Sequence, residues 1–171
     1  MTTIMTQYQT EIQKSLQFLS EIGIAVFEKE LDENTFLPGI TLGPNCIYID
    51  FEKLKYPGDI LHEAGHIAVA SPEVRAVIGT EAVPKGWPDG GEEMAAILWS
   101  YAAALHLKLP LDFVFHPDGY KNSSEWLISG FEKENYIGLP FLEWIGLTFG
   151  KEKALKHQQT AFPVMQKWIR D

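Results

Sequence analysis

The sequence predicts an α+β fold: a small antiparallel or mixed sheet packed against one central helix and a mostly helical C-terminal half. Two short runs, "IGIAVFEKEL" from Ile22 and "CIYID" at 46–50, are rich in β-branched residues and bounded by turn formers, which is strand character. One helical stretch precedes them, and helical periodicity dominates the chain after Tyr56. No linker separates the parts, so one domain over 1–171 is expected.

Taken in order, residues 7–21 place Ile12, Leu16, Leu19 and Ile22 at helical spacing, with Gly23 as a stop. "TFLPGITLGPN" is a weaker, turn-punctuated strand before the short strand at Cys46. Tyr56-Pro57-Gly58-Asp59 breaks the chain, Asp59 suits a helix N-cap and Ser71-Pro72 suits a stop, which predicts about three helical turns between them. After a loop from Val83 to Gly91, "EEMAAILWSYAAALHLKL" is the strongest helix, and Pro110 should end it. Asn122, with Glu125 three residues on, resembles a capping box, and "GLPFLEWIGLTFG" and the tail from Lys151 predict further helices. The tail is interrupted at Pro163.

Composition excludes several roles. A net charge of -9 argues against a nucleic-acid backbone or an anionic membrane as partner. Cys46 is the only cysteine, so neither an internal disulfide nor a cysteine zinc cluster is available. The start "MTTIMTQYQTEIQK" lacks a basic segment followed by an apolar one, and Met94 to Leu105 is too short to span a bilayer. A cytoplasmic protein is expected.

"LHEAGHIAVA", residues 61–70, concentrates the chemistry. His62 and His66 lie four residues apart, about 40° around a helix, so both imidazoles project from one face. Glu63 completes H-E-x-x-H, in which two histidines hold zinc and the glutamate is the base for a water that zinc acidifies. With five histidines in the chain, about 0.01 such matches arise by chance. The plain alternative is a buried histidine pair satisfied by carbonyls.

A catalytic zinc takes a third protein ligand and keeps one position open. Glu92 and Glu93 are the candidates, with side chains about 100° apart on one helix. From Glu93 a small-residue stripe of Ala96, Ser100 and Ala104 permits close helix approach, whereas the stripe from Glu92 contains Trp99. Asp89 as N-cap would also engage Glu92 in a capping box. Glu93 is favoured, with Glu92 the alternative.

The other histidines are less informative. His106 complements a helix C-terminus and His157 sits on a polar helix. His116 opens "HPDGY", which could turn His116 and Tyr120 towards a cleft to stabilise an oxyanion, although an ordinary surface turn is the simpler account. Trp126, Phe131, Trp144 and Phe149 are expected in the core rather than in a substrate groove.

From about Phe18 to Leu107 the chain resembles the minimal zincins of the ImmA/IrrE-like metallopeptidase family. The matching elements are "FLSEIGIAVFEKEL", "PGITLGPNCIYID", "HEAGHIA" and "EEMAA". The resemblance implies a zincin-like fold and a gluzincin-type zinc peptidase acting on a peptide or protein. His62 and His66 would be ligands, Glu63 the base, and Glu93 or Glu92 the third ligand. Residues 73–91 have no counterpart in that pattern and no helix-turn-helix segment is visible, so a repressor-cleaving role is not implied. The competing expectation is a non-catalytic metal-binding or interaction module that retains the site. Glu63 argues for catalysis, because a structural zinc needs no base beside it.

Overall fold

The computed structural model describes residues 6–171. The first five, where a leader would begin, lie outside the described residues. The fold is α+β, with a small mixed sheet near the start and helices after it.

Helix α1 (Gln9–Ile22) buries Ile12, Phe18 and Leu19 and ends where predicted. Gly23 takes φ 87° there, and the Ile24 N–H reaches back to the Leu19 carbonyl at 2.9 Å, closing the last turn. Strands β1 (Ala25–Glu28), β2 (Ile40–Gly43) and β3 (Cys46–Ile49) form a sheet ordered β1-β3-β2. β1 runs parallel to β3, while β2 pairs antiparallel with it through a two-residue turn at Pro44 and Asn45. Pro44 fixes its own φ, and Asn45 sits at φ 54°, the requirement of a type II turn. Ile47 and Ile49 on the central strand are fully buried.

Helix α2 (Asp59–Val69) carries the H-E-x-x-H residues, and α4 (Gly90–Leu107) crosses it. They meet closely at Gly65, where a Cβ would stand 2.7 Å from the Ala96 carbonyl oxygen. Any larger residue would force these helices apart, so the small-residue stripe from Glu93 has the packing consequence expected of it. Trp99 lies on another side of α4, edge-on to Trp168 and 6.1 Å from the Phe18 ring.

Between these helices lies α3 (Pro72–Arg75), capped by Ser71. After them come α5 (Leu111–Val114), a short turn at Tyr120–Asn122, α6 (Ser124–Glu132), α7 (Leu139–Trp144) and α8 (Lys151–His157). The tail ties down the far end of α2. Arg170 N–H donates to the Ala68 carbonyl at 2.9 Å, and Arg75 donates to the carbonyls of Ile67, Ala70 and Arg170. Among the described residues, no helix is long and apolar enough to cross a membrane.

Several expectations need correction. Asp59 is not the N-cap: Gly58 is already helical, and the amides of Asp59, Ile60 and Leu61 bond to the carbonyls of Tyr56, Pro57 and Gly58. The Asp59 carboxylate is thereby free for another partner. Asn122 and Glu125 form no capping box, because α6 starts after Ser123 without a side-chain cap. Lys108 in the left-handed region, not Pro110, ends α4. The tail is helical only to His157. Of the four aromatics assigned to the core, only Phe131 is buried. Leu127 and Phe131, four apart, take the inward face of α6 and leave Trp126 60% exposed, while Trp144 is 70% exposed.

Candidate metal centre and its cleft

Helical spacing puts the His62 and His66 rings on one face of α2, and the close crossing at Gly65 brings Glu93 to them. The two Nε2 atoms are 3.1 Å apart. Glu93 Oε1 lies 3.4 Å from His62 Nε2, and Oε2 lies 3.2 Å from His66 Nε2. Two ring nitrogens and two carboxylate oxygens at such distances repel unless a proton or a cation sits among them. Tetrahedral coordination with bonds of about 2.0–2.1 Å places neighbouring ligands about 3.3 Å apart. The spacing between these donors therefore matches that of neighbouring ligands on a small divalent cation, and two imidazoles with a carboxylate are a donor set that suits one. Glu63, one residue along α2, keeps a carboxylate oxygen within 4.8 Å of a ring nitrogen of each histidine.

Glu92 faces elsewhere. Its carboxylate accepts from the Asp89 N–H at 3.0 Å while Asp89 accepts from the Glu92 N–H at 2.8 Å, so the predicted capping box is present. The two glutamates consequently separate by experiment. Glu92→Ala should lower stability by about 1 kcal/mol, the value of a cap. Glu93→Ala should weaken zinc binding by more than about 100-fold, far more than Glu92→Ala does. Thermal melts and zinc titrations of both variants decide the matter, and the reverse ranking would remove Glu93 from the centre.

The Nδ1 atoms of both histidines are buried without a hydrogen-bond partner. Ligating histidines usually donate that N–H to a carbonyl or carboxylate. Here aromatic edges orient the rings: Tyr120 stands at 83° to His62 with centroids 5.4 Å apart, and Trp87 at 67° to His66, 5.9 Å away. Trp87 comes from the loop before α4 and carries no sequence signal for this role.

Burial and charge set the acidities. Burial, with His66 nearby, pulls His62 down to about 4. Burial also acts downward on His66, but the carboxylates of Glu93, Glu63 and Glu92 outweigh it and raise its pKa. Glu93 is opposed by burial yet lowered overall by the hydrogen bond from His66 and the charges of both histidines and Lys121. Burial pushes Glu63 up to about 7, and Asp59 and Glu93 add to the rise while His66 opposes it. Its carboxyl lies deep although the residue borders the cleft, so solvent moderates that shift.

His116 and Tyr120 both reach the wall of this region. His116 Nε2 is 3.0 Å from Asp59 Oδ1, and its ring stacks on Tyr56 at 4.0 Å, with Tyr56 donating to Asp118. The segment is thus a packed wall rather than a loose surface turn. His116 Nδ1 and the Tyr120 hydroxyl are enclosed and lack hydrogen-bond partners. Ser100, which pulls weakly on the phenol, donates its own proton to the Ile97 carbonyl at 2.7 Å. Burial and three surrounding carboxylates hold the Tyr120 pKa well above its usual value, so it is a neutral donor.

A cavity of about 600 Å³ opens beside the centre, reaching His62, Glu63, His66 and Glu93 on one side and aromatic and aliphatic side chains on the other. The remaining sequence candidates lie away from it. His106 packs by Phe18 and Trp168, and His157 stacks on Phe149. Comparison of the chain with protein-family models, curated proteins and solved structures finds no match.

Proposed function

We propose that the protein is a zinc-dependent peptidase of gluzincin type, with His62, His66 and Glu93 as ligands and Glu63 as general base. The observation that carries this is the cluster of two imidazole nitrogens and the two Glu93 carboxylate oxygens, with neighbouring nitrogens and oxygens 3.1–3.4 Å apart and the Glu63 carboxylate close by. A zinc ion held there supplies Lewis acidity, polarising a carbonyl and bringing a water's pKa towards neutrality.

The chain's own residues supply the rest. Glu63 takes a proton from the attacking water as the new C–O bond forms and delivers it to the departing amine nitrogen as the C–N bond breaks. Tyr120 is the donor proposed for the developing oxyanion. Its hydroxyl has no hydrogen bond to surrender, so turning to the substrate costs only side-chain torsion. His116, with Nε2 engaged by Asp59, can donate from Nδ1 only when doubly protonated.

Tyr120→Phe should therefore lower kcat by about 100-fold, the value of one oxyanion donor. The same change removes an unsatisfied buried hydroxyl, so stability should rise by about 1 kcal/mol. A purely structural tyrosine would lose stability instead. The direct test of the function is zinc-replete protein incubated with a proteome-derived peptide library and read by mass spectrometry. If no member is cut, the peptidase assignment fails and the non-catalytic metal-binding module replaces it.

A further inference from the structure

The cleft has features that the hydrolytic machinery does not use. Of its wall, only one side belongs to the centre; the other is built by Trp87, by Met94 and Ile97 of α4, and by Trp126 and Leu127 of α6. At about 600 Å³ it falls within the range of pockets that enclose a sizeable organic group, far more than an amide and a water need. Large aromatics also stand at the mouth. Phe36 is 99% exposed and Trp126 60%, and both line the same cavity. Phe36 adds nothing to the folded core at that exposure. Its connection is nevertheless held in place, since the Asp50 carboxylate accepts from the Leu31 N–H at 3.1 Å and Lys53 donates to the Leu31 carbonyl. An apolar rim around an open cleft suits an extended chain laid across it rather than a small metabolite enclosed within.

Charge adds a second element. Lys121 is the one cation lining the cavity, and it makes no salt bridge among the described residues. Its position follows from an unusual backbone. Tyr120, Lys121 and Asn122 take φ of 54°, 54° and 63°, three consecutive non-glycine residues in the left-handed region. Each such residue costs about 1 kcal/mol or more, and strain of this kind persists only where the surroundings fix it. The outcome is alternation: Tyr120 packs inward on His62, while Lys121 is exposed at the cleft. In a chain of net charge -9, an ammonium at the mouth of the cleft, engaged in no salt bridge although its charge reaches Glu93, marks where an anionic group is tolerated.

We infer that the cleft binds a peptide through one large apolar side chain, aromatic by preference, seated among Trp87, Met94, Ile97, Trp126 and Leu127, and through one carboxylate held by Lys121. The inference rests on the peptidase assignment for its choice of a peptide. The carboxylate can come from a chain terminus or from an acidic side chain.

Binding rather than turnover tests it. Zinc-loaded Glu63→Gln protein is titrated with N-acetylated alanine pentapeptides in which Phe, Leu or nothing is placed at each position in turn. Each is made as free acid, as amide, and as amide with one glutamate. Affinity is read by calorimetry and by the fluorescence of the cleft tryptophans. The best Phe and Leu peptides should bind about tenfold or more tighter than the alanine parent. Trp126→Ala should cut that preference at least threefold, by removing part of the apolar wall. Lys121→Met should weaken carboxylate-bearing peptides by about two- to fivefold at low salt and leave uncharged amides unaffected. The acid and glutamate series then tell terminus from side chain. Both substituted residues are exposed, so the fold tolerates their loss.

Equal binding of Phe and alanine peptides, or a preference unchanged by Trp126→Ala, overturns the apolar subsite. A carboxylate effect that survives Lys121→Met overturns the charged one. The preference without cleavage by the unsubstituted protein would retain the subsite and remove the peptidase; cleavage without preference would do the opposite.

Discussion

Replacing Glu63 by glutamine is expected to lower turnover by about 10²- to 10⁴-fold while bound zinc stays near one per chain. Glutamine keeps the shape of the side chain and can still orient a water by hydrogen bonding. It cannot accept a proton from it. Glu63 stands close enough to both histidines to join a metal group, so the proposal that it is base and not ligand requires that its loss leave zinc bound by His62, His66 and Glu93. Single-turnover kinetics with any peptide from the library, alongside elemental analysis, measures both quantities. Cleavage at the normal rate by Glu63→Gln protein would end the general-base role, and loss of zinc would make Glu63 a ligand instead.

The same substitution has a signature in stability without metal. Glu63 has a pKa of about 7 in the folded chain against an ordinary 4.5, because burial disfavours the charged form. Its contribution to stability is fully present below pH 4.5 and is lost as pH rises through 7. His62 works oppositely. Held down at about 4, it contributes fully above 6.5 and loses that contribution as pH falls through 4. The wild-type profile mixes the two, but the difference between wild type and Glu63→Gln isolates the carboxyl group. Metal-free Glu63→Gln protein should be the more stable at pH 8, on the order of 2 kcal/mol after allowing for the solvent at the cleft. The gap should close below pH 4.5. Denaturant melts at the two pH values provide the comparison, and a constant gap would place Glu63 in water.

The parts of this site that can be foreseen are those set by local periodicity. Four-residue spacing brings His62 and His66 together on any helix, and the choice of Glu93 over Glu92 depends on which face of α4 is narrow enough to meet Gly65. The capping box at Asp89 is legible for the same reason, since it involves only neighbours in sequence. Contacts made by irregular segments are not. Nothing in "KGWPDGG" says that the Trp87 ring will stand against His66, because that depends on how a loop returns to the helix crossing. The place of Asp59 before an apolar run suggests a cap. Its partner, His116, lies 57 residues away and cannot be inferred locally. Residue type alone misplaces Trp126: its neighbour Leu127 and Phe131 already fill the inward face of a short helix. Strand patterns reveal the sheet, but in its mixed order β1-β3-β2 the chain after β1 skips the central position to form the far edge strand first, which such patterns do not encode.

Protein purified without chelator should carry about one zinc per chain, and the His62→Ala, His66→Ala double variant should carry none. The substitutions remove two of three donors, and a lone Glu93 carboxylate is a weak ligand for zinc in water. Folding should survive. The core face of α2 is made by Ile60, Leu61, Ala64, Ile67 and Ala68, which pack without the imidazoles, and both histidines now bury an Nδ1 that has no partner. This separates the site from a structural zinc, whose loss unfolds the domain. Zinc should instead raise the melting temperature of the wild type in proportion to its affinity. At a free concentration about 1,000 times Kd the stabilisation is about 4 kcal/mol, and the double variant should show none of it. Equal zinc content in the two proteins would dispose of the centre. So would a zinc-induced shift of equal size in both, because the ion would then be binding elsewhere on an acidic surface.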